Sequence, residues 1–254
     1  EDQKVIEISQ KSYSKIFELS KAESQETVDY FYKQKIYDSH VPFNTDFPNK
    51  LINVDDFLKS KDCHYGSFDI KTSLNSNVVK KVCNMESLWN IVKKYLNTEN
   101  VHIYTINTML TKKSEVKKDY VINMHKDQDC ASSLTVFIYW TEVSKLNGAT
   151  KVLPGDHLFQ HDRKVRRYVS EKSVNYLEGQ EGSLFAVDTW AMHAGNPNIK
   201  SPRLVTWIRY GNFISRQKQN KAPDLEHKAK LNEKNKTIYK SSKYKDVLVD
   251  LVNN

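Results

Sequence analysis

From Val101 onward the chain changes character, and that change limits the folds open to it most. Short runs rich in β-branched and aromatic residues follow one another: VHIYTINTML, YVINMH, SLTVFIYWTEV, ATKVL, SVNYL, GSLFAV, AMHA and RLVTWIRYGNF. Runs of this length, separated by turn residues, predict a sandwich or barrel of antiparallel strands. Strict alternation puts Thr135, Phe137 and Tyr139 on one face of their strand and Val136, Ile138 and Trp140 on the other. Five of the seven glycines fall between Gly148 and Gly195, where tight turns are needed to wrap such a sheet.

The first hundred residues read differently. KSYSKIFELSKA and SQETVDYFYKQKI space their apolar residues as amphipathic helices, the second starting near Ser24 or Gln25 with Glu26 in its first turn. Residues 38–75 show little periodicity and contain Pro42 and Pro48. They predict a long ordered loop, a candidate lid, with one short helix near Val54–Lys59. MESLWNIVKKYLN sets Met85, Leu88, Ile91, Val92, Tyr95 and Leu96 on one face, a helix built to pack on something flat. The whole, residues 1–254, is expected to be one catalytic domain: a helical and loop buttress over 1–100, a β-core over 101–215 and a basic segment over 216–254.

Charge points to no special partner. The net charge is +8, but between Arg216 and Lys245 ten Lys/Arg face only Asp224, Glu226 and Glu233, a surplus of seven, so one unit is left for everything else. A solvated surface segment is the simplest reading of that tail, and nucleic acid is not expected as a partner. Cys63, Cys83 and Cys130 are odd in number and lack any CxxC spacing, so they read as reduced thiols. No apolar run is long enough to span a membrane and EDQKVIEISQ is unlike a signal peptide, so a soluble cytoplasmic protein is expected.

The chemistry sits in two distant segments. In NMHKDQD, His125 and Asp127 stand at i and i+2, so on an extended strand both side chains point the same way while Lys126 points away. Asp129 is a competing carboxylate on the same face. In DTWAMHAGNPN, His193 offers a second imidazole. Two histidines and one carboxylate occupy one face of an octahedron and leave the rest open, the ligand set of non-haem Fe(II) oxygenases. A carboxylate inside a strand is costly unless a cation compensates it. Ten residues beyond His193, Arg203 follows a proline and opens the apolar run LVTWIRY, an awkward place for a guanidinium unless an anion meets it.

Around these residues NTMLTKK, IYWTEV, NGATKVLPGDH and GSLFAVDTWAMH occur in fixed order. In this order the chain resembles the phytanoyl-CoA dioxygenase family of Fe(II)/2-oxoglutarate oxygenases over roughly Asn107 to Gly211, with PGDH where PGSH or PGTH is usual. The resemblance implies a mainly β, double-stranded β-helix (jelly-roll) core with flanking N-terminal α-helices. It implies Fe(II) held by His125, Asp127 and His193, and 2-oxoglutarate held by Arg203 with Ser201 or Asn198 assisting and with Trp140 and Met109 lining its pocket. It also implies O2 as co-substrate, succinate and CO2 as products, and hydroxylation of a small molecule; halogenating relatives replace the carboxylate by a small residue. Arg163, Arg166 and Arg167 share a helix face and are candidate contacts to an anionic substrate. His157 is expected to order its turn rather than bind metal. The rival readings are a cupin-like metal-binding protein, which would more often show H-x-H, and a basic nucleic-acid-binding protein on the same β-core.

Overall fold

The computed structural model describes residues 1–38, 50–60, 64–113, 124–127, 132–158, 169–196, 198 and 200–211. Arg163, Arg166, Arg167, Asp129, Cys63, Cys130 and the basic segment lie outside the described residues. The strands are β1 (Tyr13–Glu18), β2 (Lys35–Tyr37), β3 (Leu51–Asn53), β4 (Tyr65–Phe68), β5 (His102–Thr111), β6 (Ser133–Tyr139), β7 (Thr150–Val152), β8 (Asn175–Leu177), β9 (Ser183–Val187), β10 (His193–Gly195) and β11 (Arg203–Gly211). Eight form a large sheet in the order β1-β9-β6-β11-β5-β4-β2-β3, and three form a small one, β10-β7-β8. All pairings are antiparallel, as expected of a jelly roll.

The two faces of the large sheet have different tasks. On β11, Leu204, Thr206, Ile208 and Tyr210 face helices, while Arg203, Val205, Trp207 and Arg209 alternate toward the small sheet. Val136, Ile138 and Trp140 join the helical core, and Phe137 and Tyr139 face the other way, as their alternation predicts. Between the sheets lies a second core of Met109, Tyr139, Val152, Leu177, Val187 and Val205.

The helical layer comprises α1 (Asp2–Lys11), α2 (Lys21–Tyr32), α3 (Val54–Lys59), α4 (Ile70–Asn75), α5 (Asn77–Cys83) and α6 (Glu86–Leu96). The expected α6 is present, burying Leu88, Trp89, Ile91, Val92 and Leu96, and it ends at Asn97 in the left-handed conformation (φ 49°). The segment KSYSKIFELSKA is not a helix. Its centre is β1, which pairs along β9 with a register shift between Lys15 and Phe17, and in which Ser14 and Ile16 are buried in alternation. Six residues are too few for period 2 and period 3.6 to be separated from sequence, and pairing with a waiting edge decided the outcome. The next helix begins earlier than expected: Ser20 is its N-cap, closing a capping box with Glu23. The 38–75 loop does contain α3 over Val54–Lys59, yet it also supplies β3, β4 and α4, three short elements that extend the large sheet or cover it. Among the described residues no helix is long and apolar enough to cross a membrane.

Candidate metal and co-substrate site

The site is built on a single antiparallel bridge. His125 and His193 exchange backbone hydrogen bonds in both directions at 2.9 Å, so they lie directly opposite one another at the open edge of the small sheet. Residues paired in this way project to the same face, and their rings stand 4.6 Å apart. Asp127, two residues on, shares that face, and its backbone N–H is held by the Thr189 carbonyl at 2.9 Å. The H-x-D segment is thus extended, though only His125 forms a bridge.

The three side chains converge. His125 Nε2 lies 3.8 Å from Asp127 Oδ1, and His193 Nε2 lies 3.4 Å from Asp127 Oδ2. One ligand atom from each residue falls within 4.8 Å of the others. Three neighbouring ligands at about 2.1 Å from one ion stand about 3.0 Å apart, so shifts of under an ångström per side chain close the set. One nitrogen of His193 is already engaged: Nδ1 lies 3.0 Å from the Ala191 carbonyl, which accepts only from a protonated nitrogen, so Nε2 is the atom that faces Asp127 and would meet a metal.

Arg209, which sequence reasoning did not single out, enters here. Its Nη2 donates a short hydrogen bond to Asp127 Oδ2. Burial alone would raise the Asp127 carboxyl, but Arg209, His193 and His125 reverse that and hold it well below the usual carboxylate range. The carboxylate is therefore ionised, and one of its oxygens is already engaged by a cation.

Arg203 is 8% exposed and lies at the start of β11, on the same inner face as Arg209. Its guanidinium rests over the Tyr139 ring, 5.6 Å from the centroid, and Nε is buried with no hydrogen-bond partner. Burial pulls its pKa down, and among the described residues no carboxylate forms an ion pair with it. A buried fork-shaped cation of this kind could receive a carboxylate through two parallel donors. Gly148 makes its placement feasible: at φ 90°, a Cβ there would come within 3.1 Å of Arg203 Cδ and 3.3 Å of Nη1. This is the physical content of the NG in NGATKVLPGDH.

The other expected lining residues divide. Met109 is buried between the sheets, paired in register with Val205, and so on the inner side. Ser201 lies at the mouth of β11, accepting from Asn147 Nδ2 at 3.4 Å. Asn198 donates to the Thr111 carbonyl at 3.1 Å, and its own Oδ1 is buried without a partner. Trp140 is a correction. It lies on the helical side of the large sheet, its indole donating to Thr206 Oγ1 at 2.8 Å in a buried polar chain that continues to Thr108 and Ser73. Strand alternation puts it on the opposite face from Arg203, and the aromatic ring that does meet Arg203 is its neighbour Tyr139. His157 orders a turn as expected: its ring bridges Ser12 Oγ at 2.7 Å and the Ser9 carbonyl at 3.1 Å.

The sequence profile of the phytanoyl-CoA dioxygenase (PhyH) family matches residues 16–203. The chain belongs to that family. The family uses Fe(II) and 2-oxoglutarate, and the inward-facing histidines, aspartate and buried arginine supply the donor types those two groups need. Solved structures share the fold at low identity. HygX from Streptomyces hygroscopicus, with nickel and 2-oxoglutarate bound, aligns with a TM-score of 0.60 at 12% identity over 85% of this chain and 89% of its own. EvdO2 from Micromonospora carbonacea var. aurantiaca, complexed with 2-oxoglutarate, gives 0.59 at 13% over 83% and 90%. The epimerase SnoN, in complex with Fe3+, alpha-ketoglutarate and nogalamycin RO, gives 0.58 at 12% over 83% of both chains. No curated protein sequence matches the chain. A PhyH jelly roll with this donor set is an Fe/2-oxoglutarate-dependent oxygenase-type protein, which displaces the cupin-like reading.

Proposed function

We propose that the chain is a hydroxylase: it inserts one oxygen atom of O2 into an unactivated C–H bond of a small molecule while 2-oxoglutarate is oxidised to succinate and CO2. The balance is R–H + O2 + 2-oxoglutarate → R–OH + succinate + CO2. The observation that carries the reading is an ionised Asp127 placed between two imidazoles, with the buried guanidinium of Arg203, which pairs with no carboxylate among the described residues, on the inner sheet face. When bound, Fe(II) supplies the oxidative chemistry, activating O2 against 2-oxoglutarate.

The protein's contribution is placement. His125, Asp127 and His193 would hold the metal from one side and leave the other side open. Arg209 keeps one Asp127 oxygen occupied, so the carboxylate would bind the ion through a single oxygen. Arg203 would take the distal carboxylate of 2-oxoglutarate through its two-pronged edge, with Tyr139 and Met109 as the apolar wall beside it and Ser201 at the rim. Thr105, Asn107, Phe137, Trp207 and Arg209 keep partial exposure on the inner face of β5, β6 and β11, whose other residues are buried. They outline the space in which co-substrate and substrate would meet. The presence of Asp127 favours hydroxylation over halogenation, because it fills the position a halide would need. Arg163, Arg166 and Arg167 remain candidate contacts to an anionic substrate.

The test is anaerobic addition of Fe(II) and 2-oxoglutarate, followed by exposure to O2. A weak visible charge-transfer band should appear, and substrate screening should give succinate release with 18O from O2 in the product. Succinate release with no 18O in the product would remove hydroxylation, and absence of the band would remove the metal and co-substrate assignments.

A further inference from the structure

The ligand candidates share one face of the His125–His193 bridge; its other face carries a buried ion pair. By the alternation that brings His125 and Asp127 together, Lys126 turns to the back of the strand. There its Nζ lies 2.9 Å from Asp156 Oδ2 and 3.4 Å from the Asp156 carbonyl, with the two side chains only 1% and 2% exposed. The same Oδ2 accepts the backbone N–H of Met192 at 3.0 Å. Met192 immediately precedes His193, and its own carbonyl accepts from Leu153 N at 2.8 Å. One carboxylate oxygen thus joins the residue between the first two ligand positions to the residue before the third.

Stability alone does not account for this pair. Met124, Val174, Met192 and Ala194 form a small apolar cluster behind the bridge, and burying two charges in such surroundings costs about as much as their attraction returns. Well-packed apolar side chains would serve the fold as well. What they cannot do is fix, from the back, the distance between two segments joined only by one isolated bridge and the Asp127 amide bond to Thr189 among the described backbone contacts. The PGDH motif points the same way, since the resemblance has serine or threonine where Asp156 stands, and a hydroxyl carries no charge to match Lys126.

We propose that Lys126 and Asp156 are positioning residues: as a pair they set the spacing of His125 and Asp127 against His193, and so set the affinity and geometry of the divalent-metal site. The inference rests on the metal reading given above. Its test uses Co(II) with the full chain, in wild type and in two double variants, Lys126→Met/Asp156→Asn and Lys126→Met/Asp156→Ser. Both remove the two charges of the pair together, and both leave an oxygen for Met192 N–H. The apo proteins should melt at or above the wild-type temperature, while Co(II) binding weakens by about 10- to 100-fold, the usual cost of losing a residue that orients a ligand. The Co(II) visible spectrum should change shape as well, which a contribution to stability alone would not cause. A folded double variant with wild-type Co(II) affinity and spectrum overturns the proposal. A wild-type protein that fails to bind Co(II) overturns the metal reading first and this one with it.

Discussion

Arg203 gives the sharpest test of the site, because its two expected effects have opposite signs. Nothing among the described acids neutralises it, and Nε is buried without a partner, so in the absence of an anion the side chain burdens the fold. Leaving a buried donor unsatisfied costs about 1–3 kcal/mol, more when it is charged. Arg203→Met, which keeps the alkyl stem against Tyr139, should therefore raise the melting temperature of the apo protein, by about 2–4 °C for each kcal/mol at this chain length. Binding should move the other way. Truncating one member of a buried, hydrogen-bonded charge pair costs about 2–5 kcal/mol. At about 1.4 kcal/mol per tenfold, the dissociation constant for 2-oxoglutarate should rise about 30-fold to about 4,000-fold. Arg203→Lys should fall between, since a point charge cannot present two parallel donors. Calorimetric titration of 2-oxoglutarate into the Co(II)-loaded protein, with melting curves of each apo variant, measures both. Unchanged 2-oxoglutarate affinity in Arg203→Met would take Arg203 out of the site. A lower apo melting temperature would show that the guanidinium is satisfied in the fold and that its burial carries no message about a ligand.

Other residues give independent checks. Gly148→Ala places a Cβ against Arg203 at a backbone angle L-residues avoid at about 1–2 kcal/mol, so stability and 2-oxoglutarate affinity should both fall; loss of stability alone would separate Gly148 from the arginine. Asp127→Ala should weaken metal binding and abolish succinate formation, and wild-type turnover by this variant would refute the ligand assignment. Tyr95→Phe removes the short hydrogen bond to Asp188 Oδ2 and should cost about 1–3 kcal/mol in urea unfolding, a buried acceptor being left without its donor. At the capping box, hydrogen bonds from the Lys81 ammonium and from Ser20 lower the Glu23 pKa from 4.5 to about 2. A depressed carboxyl stabilises above its unfolded pKa and loses that contribution as pH falls, so the stability gap between wild type and Glu23→Gln should narrow from pH 4.5 toward pH 2. A gap independent of pH would mean the ion pair and cap do not persist in solution.

The β-core was legible because alternation is a two-valued signal repeated over many strands. Runs such as SLTVFIYW fixed which residues face the helices, and the structure agrees residue by residue from Thr135 to Trp140. The same alternation sets Tyr139 and Trp140 on opposite faces, and the position of Arg203 over Tyr139 then excludes Trp140 as its partner. Two features escaped the sequence. Arg209 met the argument applied to Arg203, a guanidinium in an apolar strand, but lacked a motif to draw attention to it. Its partner Asp127 lies 82 positions away on the facing layer, a distance periodicity cannot see. The β1 segment was misread because its six residues satisfy both periods, and only the bonds to β9 settle the matter.

The economy of the site follows from its placement at one bridge. A hydrogen-bonded antiparallel pair fixes two residues face to face, and the next odd position on either strand adds a third side chain to the same face. Here the first relation yields His125 and His193, and the second yields Asp127. A metal site of three ligands thus needs only one strand crossing to be correct, provided the register does not slip, because a one-residue slip would turn all three away. Each segment is accordingly tied from outside the bridge. Thr189 holds the Asp127 amide, Ala191 the His193 ring, and Asp156 the Met192 amide together with Lys126. The DTWAM stretch is where these ties concentrate, and Asp188 at its head is itself pinned by Tyr95 of α6 and by the Trp190 amide. The helical layer therefore acts on the metal face through the turn that precedes His193, so a substitution as distant as Tyr95→Phe should weaken Co(II) binding as well as the fold.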